Sequence, residues 1–151
     1  MPSKQLIEYM VSERFIHDEL VRRAGTVVTR LPKMWIRDGH IQPSMLLWPS
    51  DTVKTDDGKE VEDLIYGKMP EEKSERMAFL RQSIQRAGPY ALLVVEQRPT
   101  AVVALFESPH GARAWTLPIE RHGDHRVLGK PEVQDDGECL GILWRSNLAR
   151  A

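Results

Sequence analysis

The sequence predicts an α+β fold in which helices pack against a mostly antiparallel sheet, within one domain spanning residues 1–151. A helical pattern lies between two regions of strand-like pattern, and the second region contains several short apolar strands in succession. The length of 151 residues is that of an ordinary single domain. Hydrophobic residues make up 41% and charged residues 28% of the chain, which excludes a disordered chain and a collagen.

Helical structure is predicted for residues 3–24, with Ser3 as the N-cap and Gly25 as the residue that ends the helix. The apolar side chains before Ser12 and those after it lie on faces that are rotated relative to each other. We therefore expect a kink or a break near Ser12, which would give two N-terminal helices.

Strands are predicted for residues 26–48, the region that follows. Asp38 and Gly39 separate two short strand-like segments within residues 34–42. Because an Asp-Gly pair supplies the positive φ angles of a type I′ turn, this segment is expected to form a β-hairpin. A short strand over residues 45–48 would follow the hairpin.

The clearest helix in the sequence covers residues 70–87, after a polar loop at residues 49–59 and a short helix that would end at Gly67. Its apolar side chains repeat every three or four positions and form one stripe. Acidic residues in its first turn and arginines toward its end complement the helix dipole, and Gly88 follows as the C-cap.

An antiparallel meander is predicted for the remainder of the chain. Its strands cover residues 90–97, 100–107, 112–120 and 138–144, and the loop 122–137 contains a short strand at 126–128. The first two strands are apolar on both faces, whereas an antiparallel strand with one face in water alternates. We expect the helices to cover one face, and a second subunit or a layer formed by residues 26–48 to cover the other. A two-fold homodimer is the expected arrangement.

The charge distribution along the chain indicates whether nucleic acid or an anionic membrane is an expected partner. The formal net charge is −1, which argues against a protein whose whole surface binds nucleic acid or an anionic membrane. Residues 51–75 carry nine acidic residues and four lysines, whereas residues 76–130 carry eight basic residues and four acidic ones. Two solvated faces of opposite sign explain this asymmetry most simply, so nucleic acid is not an expected partner.

The compartment is predicted from cysteine usage and from the apolar segments. Cys139 is the only cysteine, so no intramolecular disulfide can form, as is usual in a reducing compartment. Acidic residues interrupt the N-terminal apolar positions, which argues against a signal peptide. The longest apolar runs have six residues, far fewer than the roughly 20 of a membrane helix. We expect a cytoplasmic protein without a membrane segment.

Three neighbouring residues, His122, Asp124 and His125, are candidate metal ligands or acid–base groups. The residues that could complete a metal site with them are Asp135, Asp136 and Glu138. This ligand set is incomplete, so no metal and no other cofactor is predicted, and a polar surface loop is the simpler interpretation. Cys139 could pair with a histidine as a nucleophile, but its apolar strand favours a buried structural cysteine.

The candidates for a binding surface are two arginines and three aromatic residues on predicted strands: Arg81, Arg98, Trp35, Trp48 and Trp115. Such residues can stack on single-stranded bases, although core packing is the simpler explanation for the tryptophans. Arg76 and the other arginines of the predicted helix are expected to be solvated rather than to grip phosphate. Glu96 and Glu107 end facing strands, where a carboxylate can act as an acid or base or simply mark the strand end.

The sequence contains no phosphate loop, dinucleotide glycine fingerprint, Cys-x-x-Cys pair or Gly-x-Ser-x-Gly elbow. The favoured hypothesis is therefore a non-catalytic interaction or accessory module that self-associates. One alternative is a small metal-dependent hydrolase or nuclease that uses the loop at residues 120–138. A second alternative is a nucleic-acid-binding protein that uses the arginine-rich segment 76–130.

Overall fold

The chain folds as an antiparallel sheet with one helix on each face, which confirms the predicted α+β class. The computed structural model describes residues 4–49 and 65–144, which contain two helices and seven strands. In chain order these are α1 (Lys4–Asp38), β1 (Ser44–Pro49), β2 (Ile65–Lys68), α2 (Lys73–Ala87), β3 (Pro89–Gln97), β4 (Ala101–Ser108), β5 (Gly111–His122), β6 (His125–Leu128) and β7 (Glu132–Asp135). No helix within the described residues is both long and apolar enough to cross a membrane.

The sheet has the order β2-β1-β3-β4-β5-β6, and β7 also pairs with β5. Strands β6 and β7 are two parts of one return strand that runs antiparallel along β5 and is interrupted at residues 129–131. The predicted meander and its short strand at 126–128 are confirmed. Strand β7 was expected to be loop, because the sequence around it is polar and contains glycines. In the structure its four side chains are all exposed, which is why no apolar alternation marks it as a strand.

The predicted strand at residues 138–144 is wrong. Hydrogen bonds to a buried carboxylate, described below, use the backbone donors of this segment in place of a strand ladder. Its alternating apolar side chains instead pack on the face of the sheet that α2 covers. Leu140 packs there against two groups of buried residues, one that includes Leu80 of α2 and one that includes Val103 and Leu105 of β4.

Helix α1 is continuous for 35 residues, so the predicted break near Ser12 and the predicted end at Gly25 are both wrong. The strands predicted within residues 26–38 are wrong as well, because this segment continues the helix. Its buried side chains recur every three or four positions and form one stripe against the sheet: Ala24, Val28, Leu31 and Trp35. Burial of this stripe outweighs the β-propensity of the valines, isoleucine and tryptophan in the segment.

Asp38 and Gly39 end a helix rather than forming the turn of the predicted hairpin. The N–H of Gly39 donates to the Trp35 carbonyl at 2.7 Å, and Gly39 has a φ of +74°. A left-handed glycine suits a helix C-terminus as well as it suits a type I′ turn. The Asp-Gly pair therefore marked a chain reversal correctly but did not identify which elements flank it.

Gly25, inside α1, and Gly39, which follows its last residue, should respond to alanine in opposite directions. We expect Gly25→Ala to stabilise the protein by about 0.5–1 kcal/mol, because glycine is costly inside a helix. The added Cβ would meet only the Trp115 ring, at 3.8 Å. Gly39→Ala should destabilise by about 1–2 kcal/mol, because its φ of +74° strains any L side chain. Urea titrations of both variants test this; a destabilised Gly25→Ala variant would contradict an uninterrupted α1.

The helix predicted at residues 70–87 is confirmed, although α2 begins at Lys73 and not at Pro70. Gly88 ends it with a φ of +56° and donates its N–H to the Ile84 carbonyl at 2.9 Å. Gly67 ends no helix, since it lies in strand β2 opposite Met45. Most of the predicted 49–59 loop, with the start of its short helix, lies outside the described residues.

Both faces of the β3–β4 hairpin are covered by the same chain. One face, including Leu93 and Phe106, packs against the buried stripe of α1. The opposite face, including Leu92 and Val94, packs against Leu80 of α2 and against residues 140–143. The apolar hairpin therefore needs no second subunit to bury it, because a helix supplies the second layer that was expected from strands.

Candidate functional site

A cavity of about 470 Å³ lies between α2, the β3–β4 hairpin and residues 138–144. We call it the α2 cleft, and we call residues 138–144 the strap. Apolar side chains of the helix, the sheet and the strap line part of it: Met69, Met77, Leu80, Val94, Leu105 and Leu140. Charged side chains line the rest: Lys73, Arg76, Glu96, Arg98 and Glu138. This combination of apolar and charged groups is typical of a small-ligand site.

Arg98 holds together the charged side of the α2 cleft. Its Nε and Nη2 donate to Glu96 Oε1 at 3.1 and 2.9 Å, and Nη2 also donates to Glu138 Oε1 at 2.6 Å. The hydrogen bond that Arg98 donates to Glu138 is the main reason why the pKa of Arg98 is raised, against the opposing effect of burial. Arg98 thus links the hairpin to the strap, and its charge is neutralised by two carboxylates.

Arg76 differs from Arg98 in having few partners. Its side chain is only 15% exposed, and its single ion pair with the described residues is a long one, 3.9 Å from Nη1 to Glu96 Oε2. That distance is beyond hydrogen-bonding range. A guanidinium has five N–H donors, and leaving them unmatched at a half-buried position is costly. Arg76 was expected to be solvated, and its position in the cleft was missed.

Glu107 anchors the strap, and its side chain is nearly fully buried at 1% exposure. Its Oε2 accepts the backbone N–H groups of Leu140 and Gly141 at 3.0 and 3.1 Å. Its Oε1 accepts those of Ile142 and Leu143 at 2.8 and 2.6 Å. Four donors converge on one carboxylate, so Glu107 holds a wall of the cleft in place and is not available as an acid or base.

Comparisons with protein-family models, with curated proteins and with solved structures found no match.

Cys139 lies on the strap and lines the α2 cleft, where it is half-buried. Its Sγ lies 3.6 Å from the Trp144 carbonyl, to which the thiol donates. Burial, and then the nearby Glu107 carboxylate, raise the pKa of the Cys139 thiol. The thiol is therefore protonated at neutral pH, the opposite of what a nucleophilic cysteine requires.

The candidate ligands His122, Asp124 and His125 are all exposed, at the turn between β5 and β6. His122 Nε2 lies 3.2 Å from Glu120 Oε2. The three residues line a separate depression that also includes Trp35. Within residues 4–49 and 65–144, no three His, Cys, Asp or Glu side chains are grouped so that they could hold a metal ion.

The residues that could have completed a metal site lie elsewhere. Asp135 pairs with Arg113, and Asp136 accepts the backbone N–H of Ala112 at 2.9 Å. Glu138 belongs to the α2 cleft through its bond to Arg98. The structure thus does not bring these carboxylates together with the histidines of the β5–β6 turn.

The tryptophans proposed for binding are buried, with exposures of 3% for Trp35, 3% for Trp48 and 5% for Trp115. All three belong to the core between α1 and the sheet. Their ring faces contact protein, so they are not placed to stack on bases in this conformation. Of the two arginines proposed with them, Arg81 is exposed on α2 and Arg98 lies in the α2 cleft.

A serine–histidine pair that the sequence analysis missed joins α1 to the end of β4. His17 Nδ1 lies 2.5 Å from Ser108 Oγ, although 91 positions separate the two residues. Both are buried, with exposures of 5% and 0%. A nucleophilic serine must reach its substrate, so this pair is better suited to fixing α1 on the sheet than to catalysis.

Proposed function

We propose that this protein is a non-catalytic accessory module that acts by binding, and that the α2 cleft is its binding site. The observation that carries the proposal is the composition of the cleft, in which a half-buried and poorly paired Arg76 lies beside an apolar floor. A small ligand would complete the hydrogen bonding of the guanidinium and place its own apolar part against the apolar side chains of the floor.

The groups that could otherwise support catalysis favour the same proposal. The thiol of Cys139 has a raised pKa, and Ser108 is buried beside His17. We place the module in the cytoplasm as part of this proposal, since a single cysteine fits a reducing compartment.

Methionine-methyl NMR tests the binding site directly, because methionines lie both inside and outside the cleft. Met69 and Met77 line it, whereas Met34 packs against the core on the opposite face of the sheet. In a screen of small metabolites against protein labelled at methionine methyl groups, we expect hits to shift the signals of Met69 and Met77 and to leave Met34 in place. A screen in which hits move Met34 equally, or in which no compound moves Met69 and Met77, would contradict the proposal.

A second candidate function is self-association, and it is favoured by the edge of the sheet rather than by the hairpin faces. Strand β2 is a terminal strand in the described sheet, and Ile65 and Tyr66 on it are 41% and 59% exposed. Exposed apolar side chains on an edge strand favour pairing with another strand. We propose a two-fold dimer in which β2 pairs with β2 of a second copy.

Sedimentation at rising concentration tests the dimer. We expect the wild type to sediment as a dimer and Tyr66→Lys to sediment as a 17.3 kDa monomer, because lysine on an edge strand opposes pairing. Val133→Lys is the matched control, since Val133 is 54% exposed on β7 at the other edge. A wild type that stays monomeric, or a Val133→Lys variant that dissociates equally, would exclude dimerisation through β2.

A further inference from the structure

We infer that the α2 cleft selects a small molecule with one carboxylate and an apolar chain, with Arg76 as the residue that binds the carboxylate. This inference rests on the proposed binding function and adds the class of ligand. The juxtaposition that carries it is a guanidinium without a hydrogen-bonded partner among the described residues, next to the side chains of Leu80, Val94 and Leu105.

The charge balance of the cleft favours a single negative charge. Lys73, Arg76 and Arg98 supply three positive charges, and Glu96 and Glu138 supply two negative ones. Both carboxylates are engaged by Arg98, and the side chains that line the cleft carry one positive charge in excess. The buried Glu107 carboxylate does not line the cleft and is bound by four backbone N–H groups. One carboxylate would neutralise that excess, whereas a doubly charged phosphate would bring an additional negative charge close to Glu96 and Glu138.

The geometry of the guanidinium favours a carboxylate as well. Two parallel N–H groups of an arginine match the two oxygens of a carboxylate, which gives a paired hydrogen bond. Glu96 does not make this pair with Arg76, because its Oε1 is bound by Arg98 and its Oε2 lies 3.9 Å away. The ligand would supply the acceptors that Glu96 does not.

The apolar part of the ligand would lie along the floor of the cleft. Side chains from α2, from the hairpin and from the strap converge there, so one chain would contact Leu80, Val94 and Leu140 together. The cavity of about 470 Å³ is at the small end of the range for ligand sites. Within this space, affinity should increase roughly fourfold with each methylene group that the ligand buries.

The test compares octanoate, 1-octanol and octylamine as probes of the methionine-methyl signals of Met69 and Met77, with Met34 as the internal control. We expect octanoate to bind with an affinity about tenfold or more above that of octanol, because a paired hydrogen bond between two ionised groups replaces a single hydrogen bond from the guanidinium to a neutral hydroxyl. Octylamine should bind more weakly than either, since the lining of the cleft has one positive charge in excess, which repels an ammonium group. Hexanoate should bind more weakly than octanoate.

Three variants identify the residue responsible. Arg76→Gln should abolish the preference for octanoate over octanol, and Arg76→Lys should restore part of it. Arg81→Gln is the matched control, since Arg81 is exposed on the same helix and does not line the cleft. Unchanged Met34 signals in each variant show that the fold is intact.

The outcomes separate the ligand class from the binding function. If octanol or octylamine shifts Met69 and Met77 with an affinity equal to that of octanoate, the cleft is a binding site but does not select carboxylates. The same conclusion follows if Arg76→Gln keeps the preference. If none of the probes shifts Met69 and Met77 beyond Met34, the ligand class is wrong, and the metabolite screen described above then decides whether the binding function also fails.

Discussion

Replacing Glu107 by alanine is expected to lower the free energy of unfolding by about 3 kcal/mol or more. The substitution removes the acceptor of four backbone N–H groups, and hydrogen bonds to an ionised group contribute about 1.5–3 kcal/mol each without adding fully. It also leaves a cavity beside a fully buried part of β4. Urea denaturation measures the loss, and hydrogen exchange should show faster exchange of the amides of residues 140–143.

Two further variants show whether the carboxylate itself is responsible. Glu107→Gln keeps the volume but directs an NH₂ group at N–H donors, so it should lose most of the same stability. Glu132→Ala, at an exposed position of β7, should change stability by no more than about 0.5 kcal/mol. A Glu107→Gln variant as stable as the wild type would contradict the role of the carboxylate in holding the strap.

Replacing Trp35 by alanine is expected to destabilise the protein by about 3–5 kcal/mol, the usual cost of removing a large buried aromatic side chain. Trp35 is 3% exposed in the core beneath α1, and its Nε1 donates to the Arg126 carbonyl at 2.7 Å. The change therefore removes packing from the core and also the link between α1 and β6. Thermal and urea unfolding both report the loss.

The neighbouring residue provides a matched control. Ile36 is 77% exposed, since it lies about 100° around the helix from Trp35, and Ile36→Ala should change stability by less than about 0.5 kcal/mol. The predicted hairpin would instead have placed Ile36 opposite Ile41 across a strand pair. Equal losses for the Trp35 and Ile36 variants would be inconsistent with helical structure at this position.

The elements that the sequence predicted correctly are those with short-range signals that agree with one another. Helix α2 has one apolar stripe, charges that fit its dipole and Gly88 at its end. The strands β3 and β4 are apolar runs separated by a tight turn. In each case propensity, pattern and turn residues favour the same structure, and the tertiary contacts agree with these local preferences.

The secondary-structure prediction was wrong in the region where these signals disagree. Residues 26–38 contain β-branched residues and an Asp-Gly pair, which favour strands, together with a stripe at helical spacing, which favours a helix. Only contact with the sheet decides between them, because Val28, Leu31 and Trp35 reach the core together in the helix alone.

The candidate site was predicted less well than the fold, since it depends on contacts between distant positions. Arg76 and Glu96 come from different elements, and Glu107 binds residues more than 30 positions later in the chain. The local sequence around an arginine beside a helical stripe, or around a glutamate at the end of a strand, is the same whether that side chain is buried or solvated. No spacing in the sequence distinguishes these two cases.

By itself, the sequence determined the α+β class, helix α2 and the antiparallel meander, because these follow from local periodicity and turn chemistry. The tertiary structure alone decided that α1 runs to Asp38, that a strap replaces a last strand and that Arg76 lies half-buried in a cleft. The physical reason is that burial and hydrogen bonding between remote segments have free energies larger than the local preferences that they override.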